Sequence, residues 1–145
     1  MKALVQRVKR ASVTIGGDLH SEINSGMLVF IGVEKGDTKD NAIKLANKLV
    51  NLRIFEDDAG KMNLSLIDVQ GEIMIVSQFT LCGNCTKGTR PSFDKSAPLN
   101  MAMELYEYFV EIVRGYGLKT ATGKFQSTMD VDLINDGPVT FFIEK

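Results

Sequence analysis

Apolar positions along this chain change their spacing several times, and each change marks an element. Near the start, Leu4, Val8, Val13 and Ile15 fall in short runs alternating with polar residues. Such alternation predicts strands, and Gly16-Gly17 supplies a hairpin turn between two of them. Met27 to Val33 is a continuous apolar run between glycines, the pattern of a buried strand. The period then lengthens: Ala42, Leu45, Ala46, Leu49 and Leu52 recur at helical spacing. Asp37 is the expected cap of this helix, with Asp40 in the favourable first turn and an end near Asn51. The acidic trio Glu56-Asp57-Asp58 runs into Ala59-Gly60 and reads as a solvated turn, not a metal site. Ile73 to Val76 is a second buried strand. It turns polar at Ser77-Gln78-Phe79-Thr80-Leu81, so a strand leaving the core presents side-chain and backbone donors at a rim.

The second helix carries the clearest signals. Ser96 is its expected cap, Pro98 suits its first turn, and Gly115 or Gly117 stops it. Ala102, Leu105, Tyr106, Phe109, Ile112 and Val113 form one apolar face, and Met101 and Met103 read as packing residues. Strands return where Met129, Val131 and Leu133 alternate with Asp130 and Asp132, and again from Val139 to Ile143. The order is strands, helix, strands, helix, strands, with no repeat and no linker. That predicts one α+β domain over residues 1–145: a mainly antiparallel sheet or partly closed β-barrel with two packed helices.

Composition narrows the function classes. No stretch approaches the roughly 20 apolar residues of a membrane span, and the basic N-terminus alternates in polarity with no small-residue cleavage site after it. The expected location is cytoplasmic, with no membrane partner. A formal net charge of −1 argues against broad, non-specific nucleic-acid binding, which rests on many phosphate contacts. It leaves room for a small contact with one RNA end through local basic groups: Lys2, Arg7, Lys9 and Arg10, then Lys87, Arg90 and Lys95.

Candidate chemistry is sparse. Cys82-Gly83-Asn84-Cys85 has the spacing of a redox dithiol or half a zinc site. Zinc needs about four ligands, and His20 is the single histidine, so a metal site is not expected. No helical period follows the cysteines, which places two reduced thiols in a loop. His20 is remote from the polar rim, no GxSxG elbow exists, and no Ser-His-Asp set is evident. Near the C-terminus, Asn135-Asp136-Gly137-Pro138-Val139-Thr140 sets a Gly-Pro pair before a strand. Glycine allows close backbone approach, and an X-Pro bond is the common site of a cis peptide.

The Ser77–Leu81 and Asn135–Thr140 segments together resemble the D-aminoacyl-tRNA deacylase family, also called D-tyrosyl-tRNA deacylase. The likeness spans the chain. It begins at Met1-Lys2-Ala3-Leu4-Val5-Gln6-Arg7-Val8 and Ala11-Ser12-Val13, continues through Lys87-Gly88-Thr89-Arg90-Pro91-Ser92-Phe93, and includes Gly123-Lys124-Phe125. It departs from the common family pattern at Gln126-Ser127-Thr128 and in the cysteine loop.

The resemblance implies a homodimer with a barrel-like fold that hydrolyses the ester joining a D-amino acid to the terminal adenosine of tRNA, without a cofactor. Ser77, Gln78, Phe79 and Thr80 are then the catalytic segment. Phe125, Met129, Gly137 and Pro138 are substrate contacts, and Arg7, Lys87 and Arg90 are tRNA contacts. In the family the Gly-Pro pair is cis and enters the partner subunit's site, blocking the side-chain position of an L-amino acid. An aminoacyl ester is already activated, so the protein need only hold it and aim backbone N–H groups, here those of Phe79 and Thr80, at the developing oxyanion. A nucleophilic Thr80 is the sharper alternative, but no base is visible to activate it. Glycyl-tRNA is a possible further substrate. Two rival readings remain: a non-catalytic RNA- or ribosome-binding barrel, and a dithiol oxidoreductase using Cys82 and Cys85.

Overall fold

In the computed structural model, which describes Met1 to Lys145, the first 32 residues form one long hairpin with a broken return. Strand β1 (Lys2–Ile15) turns at Gly16 and Gly17, whose φ angles of 60° and 92° are those a hairpin turn requires. Its return is β2 (Asp18–Ile23) followed by β3 (Gly26–Gly32). Ala11 faces Ile23 and Val8 faces Gly26, so Asn24-Ser25 interrupts the return opposite Lys9 and Arg10. The last strand, β8 (Asp130–Glu144), runs antiparallel along the other edge of β1 for nearly its whole length.

Beyond β3 the sheet changes direction. Strand β6 (Glu72–Ser77) lies parallel to β3, with Met27 opposite Ile73, and β7 (Thr120–Thr122) lies parallel to β6. Parallel neighbours need a crossover, and the two helices supply it: α1 (Lys39–Val50) between β3 and β6, α2 (Leu99–Arg114) between β6 and β7. The sheet is therefore mixed, with its antiparallel pairs gathered around β1. The Ser21 hydroxyl of β2 donates to the Thr122 carbonyl of β7 at 2.8 Å, drawing the two ends of the sheet into a nearly closed barrel. Between α1 and β6, β4 (Phe55–Glu56) and β5 (Met62–Leu64) make a separate ribbon. Its turn is held by Asp57 Oδ1, which accepts from the N–H groups of Ala59 and Lys61, so Asp57 and Asp58 lie in a turn as expected, while Glu56 ends β4 and pairs with Arg7.

The continuous apolar runs have a simple cause. Met27, Val29, Ile31, Ile73 and Ile75 pack under the helices, while Leu28, Met74 and Val76 meet Val8, Ala11 and Val13 inside the barrel. Both faces of β3 and β6 are covered, which removes the need for alternation.

Both helix caps differ from the expected ones. Thr38 caps α1 and shares a reciprocal capping box with Asn41. Asp37 instead accepts from the α-amino group of Met1 at 2.6 Å and from the Glu34 N–H at 2.7 Å. Pro98 occupies the cap of α2, because Ser96 is held two residues earlier in a bridge to Glu34. Gly115 ends α2 as expected.

Candidate functional site

The polar rim lies where β3 and β6 end side by side. Parallel strands share a carboxyl end, and crevices for ligands open there. Ser77 closes β6, the Gln78 N–H extends the ladder by donating to the Ile31 carbonyl at 2.7 Å, and Phe79–Cys82 then make one 3-10 turn. A cavity of about 610 Å³ opens over this end. Its walls are Ser77, Gln78 and Phe79, the approach to α2 at Ser96, Ala97 and Leu99, and the loop from Phe125 to Met129. Three segments distant in sequence thus converge, including Phe125 and Met129 from the expected substrate contacts.

Within the site, the Gln78 side-chain amide donates to the Thr80 hydroxyl. The hydroxyl accepts this bond and keeps its own proton, and no histidine, lysine or carboxylate lines the cavity to take it. The first N–H groups of a helical turn have no partner inside it, which leaves the main chain of Phe79 and Thr80 as donors at the rim. Phe79 is 58% exposed and its ring packs on Phe93 with centroids 5.0 Å apart. Opposite, Phe125 stacks at 5.7 Å on Tyr106, whose buried hydroxyl donates to the Ile75 carbonyl at 2.8 Å. Burial drives the Tyr106 phenol far above its ordinary value, so it stays neutral behind Phe125. The Phe125–Met129 loop turns tightly: Gln126 has φ 61°, and the Lys124 N–H points at Met129 Sδ, 3.2 Å away.

Gly137 and Pro138 sit elsewhere on the protomer. Gln6 faces Thr140 and Val8 faces Asn135, so Asp136 to Val139 bulge from β8 opposite the single residue Arg7. Asn135 clamps the base of this bulge, accepting from the Val139 N–H at 2.8 Å and donating to the Val139 carbonyl at 3.1 Å. The Gly137–Pro138 peptide is cis, and both residues are exposed. Neither lines the 610 Å³ cavity of its own protomer. A Cβ on Gly137 would fall 2.4 Å from the Val139 nitrogen, so the position is closed to side chains by its own backbone.

Arg7 differs from its expected surface role. It is only 6% exposed, and its guanidinium donates to the carbonyls of Asp136 at 2.8 Å and Ile54 at 2.7 Å while pairing with Glu56. It tethers the bulge to the body of the protein. Lys87 and Arg90 are exposed on the loop after the 3-10 turn and form no ion pair. Cys82 is buried with its thiol directed at the Val33 carbonyl, and burial raises its pKa; Cys85 is exposed. His20 lies outside the cavity, in a second groove.

Two contributors went unrecognised in the sequence. Ser96 lines the cavity, and its Oγ is buried behind the wall with no hydrogen-bond partner. Asn135, two residues ahead of Gly137, was legible only as part of a motif, although a side chain able to bond its own backbone is a known turn signal.

Comparison with known proteins agrees with this geometry. The family model described as D-Tyr-tRNA(Tyr) deacylase matches residues 4–144. The chain is 57% identical over 145 residues to the D-aminoacyl-tRNA deacylase of Pelobacter propionicus, covering all of both chains. It is 56% identical over 144 residues to that of Geobacter sulfurreducens, covering 99% of this chain and 95% of the other. Among solved structures, the c-Myc DNA Unwinding Element Binding Protein superposes with a TM-score of 0.95 at 43% identity, covering 100% and 99% of the two chains. A probable eukaryotic D-amino acid tRNA deacylase superposes at 0.87 with 17% identity, covering 99% and 98%, a likeness of fold alone. With a match running from the first strand to the last, the chain belongs to the D-Tyr-tRNA(Tyr) deacylase family.

Proposed function

We propose that this protein hydrolyses D-aminoacyl-tRNA, releasing the free D-amino acid and tRNA. The observation that carries the reading is the cavity at the end of β6, walled by Ser77 to Phe79, with the Thr80 hydroxyl tied to Gln78. Water adds to the ester carbonyl, and the main-chain N–H groups of Phe79 and Thr80 stabilise the oxyanion. The bond to the ribose oxygen then breaks, and that oxygen takes up a proton. The vicinal hydroxyl of the same ribose is the group placed to assist. Phe125 and Met129 flank the adenosine, and exposed Lys87 and Arg90 serve the acceptor end.

Chirality is read by exclusion. The exposed bulge at Gly137-Pro138 does not line its own cavity, so it serves the cavity of a second copy, where it occupies the space an L side chain needs. Support for the pairing comes from β8, whose outer edge is unpaired and whose Phe141 and Phe142 are 40% and 53% exposed on opposite faces. Glycyl-tRNA offers no side chain to exclude and is a further substrate. A deacylation assay with D-tyrosyl-, L-tyrosyl- and glycyl-tRNA tests all of this. Release from the D and glycyl esters only is expected, and an intact D ester sinks the reading. A binding role without turnover is the second reading, favoured by the name of the DNA-element-binding relative; tight tRNA binding with no release would establish it.

A further inference from the structure

The terminal adenosine and its ester account for one cavity, but a second groove of about 480 Å³ adjoins it, and Phe125 lines both. The cavity takes the start of α2 at Leu99 and Ala102, and the groove takes its later turns from Tyr106 to Arg114. From Ala102 to Arg114 the helix rises about 18 Å, the length of several stacked nucleotides. The other wall is His20 from β2 and Thr122 to Lys124, where β7 ends.

Its chemistry suits a single-stranded nucleotide. Arg114, Lys124 and His20 are exposed cationic or protonatable groups, and Phe125 with Tyr106 supplies an aromatic wall. Basic groups beside aromatic rings are the pattern of single-strand binding. Glu107 and Glu111 share the groove, and carboxylates beside a backbone-binding cation repel a phosphate unless they have their own partner. Glutamate accepts from the exocyclic amine of cytosine. None of the nine ion pairs in the protein includes Arg114, Lys124, Glu107 or Glu111, although they lie along one groove. Opposite charges that leave one another unpaired are available to a ligand carrying both an anion and a donor.

We infer that this groove holds the cytidine preceding the terminal adenosine, its phosphate on Arg114 and Lys124 and its amine on Glu107 or Glu111. The inference rests on the deacylase reading of the neighbouring cavity. Two substrates separate them: D-tyrosyl-tRNA and D-tyrosyl-adenosine, which lacks the penultimate nucleotide. Arg114→Ala, at an exposed site that leaves the core intact, should lower kcat/KM about tenfold on the tRNA and less than twofold on the adenosine ester. Replacing that cytidine by uridine in the tRNA, which exchanges the amine for a carbonyl, should cost a similar factor with the wild-type protein and little with Glu107→Gln, Glu111→Gln. An equal fall on both substrates, or no fall on either, overturns the groove while leaving the cavity's role intact. Failure of the wild-type protein to cleave either substrate removes both.

Discussion

Thr80 and Arg7 show how single residues take their meaning from a neighbour. The Thr80 hydroxyl accepts from Gln78 and finds no base among the cavity's lining residues, so its main-chain N–H is the part left for catalysis. Thr80→Ala keeps that N–H and should retain activity within about tenfold; in a folded mutant, loss to the level of a heat-denatured control would establish a nucleophilic hydroxyl instead. Arg7 was not readable as a buried group, because Val5 and Val8, of opposite parity along β1, are both buried around it. The basic run Arg7, Lys9, Arg10 suggested a solvated face, yet the bulge of β8 covers Arg7 and takes up its donors. Removing its side chain leaves the Asp136 and Ile54 carbonyls without their donor, at a cost of about 1–3 kcal/mol. Arg7→Ala should therefore lower the denaturation midpoint and weaken discrimination between D- and L-tyrosyl-tRNA. Arg7→Lys should repair this only partly, since an ammonium lacks the forked geometry. Unchanged stability and selectivity in the alanine variant would remove Arg7 from the gate.

Among the elements, the joint between β2, β3, β6 and β7 depends on one carboxylate. Glu72, at the start of β6, accepts from the Asn24 N–H at 2.8 Å and from its side chain at 3.1 Å, and pairs with Lys119 at 2.9 Å. Burial alone would raise the Glu72 carboxyl, but the bonds from Lys119 and Asn24 outweigh it and hold it below the ordinary glutamate value. A depressed carboxyl stabilises the fold above its unfolded pKa, and that contribution is lost as the pH falls through the folded value. Denaturation midpoints should drop on acidification below about pH 4.5, and Glu72→Gln should be less stable at neutral pH with a flatter acid limb. A variant with the wild-type acid profile would place the titration elsewhere. Gly26 supports the same joint, since a Cβ there would fall 1.8 Å from the Glu72 carbonyl oxygen.

For the whole molecule, the proposed pairing of two copies through the unpaired β8 edge ties assembly to selectivity. Phe142→Asp puts a charge on that face and should yield a monomer by sedimentation. If the gate acts across subunits as proposed, the monomer should lose rejection of L-tyrosyl-tRNA together with most D-directed activity. A monomer that still cleaves D esters and refuses L esters would show that the gate does not act across subunits. The proposed contact engages only the end of the tRNA, so affinity should fall gently with salt, with a slope of about two to four phosphate contacts. A slope near that of a protein covering a long stretch of duplex would contradict this picture.

Much of this could be read from local pattern. Two helices, the buried runs at Met27–Val33 and Ile73–Val76, the polar exit at Ser77–Thr80 and the Gly137-Pro138 turn all rest on spacing and turn chemistry within a few residues. Periodicity says which face of an element is buried, but not against what. Only the tertiary structure made β3 and β6 parallel neighbours, and so created a shared carboxyl end for a cavity. Only the β1–β8 register set four residues of β8 against Arg7, turning a charge with the look of a surface group into a buried tether. The same holds for Ser96, whose place as a helix cap was lost to a bridge with Glu34, 62 positions away in the chain. Such contacts depend on which strands meet, and strand pairing is decided by the packing of the whole chain.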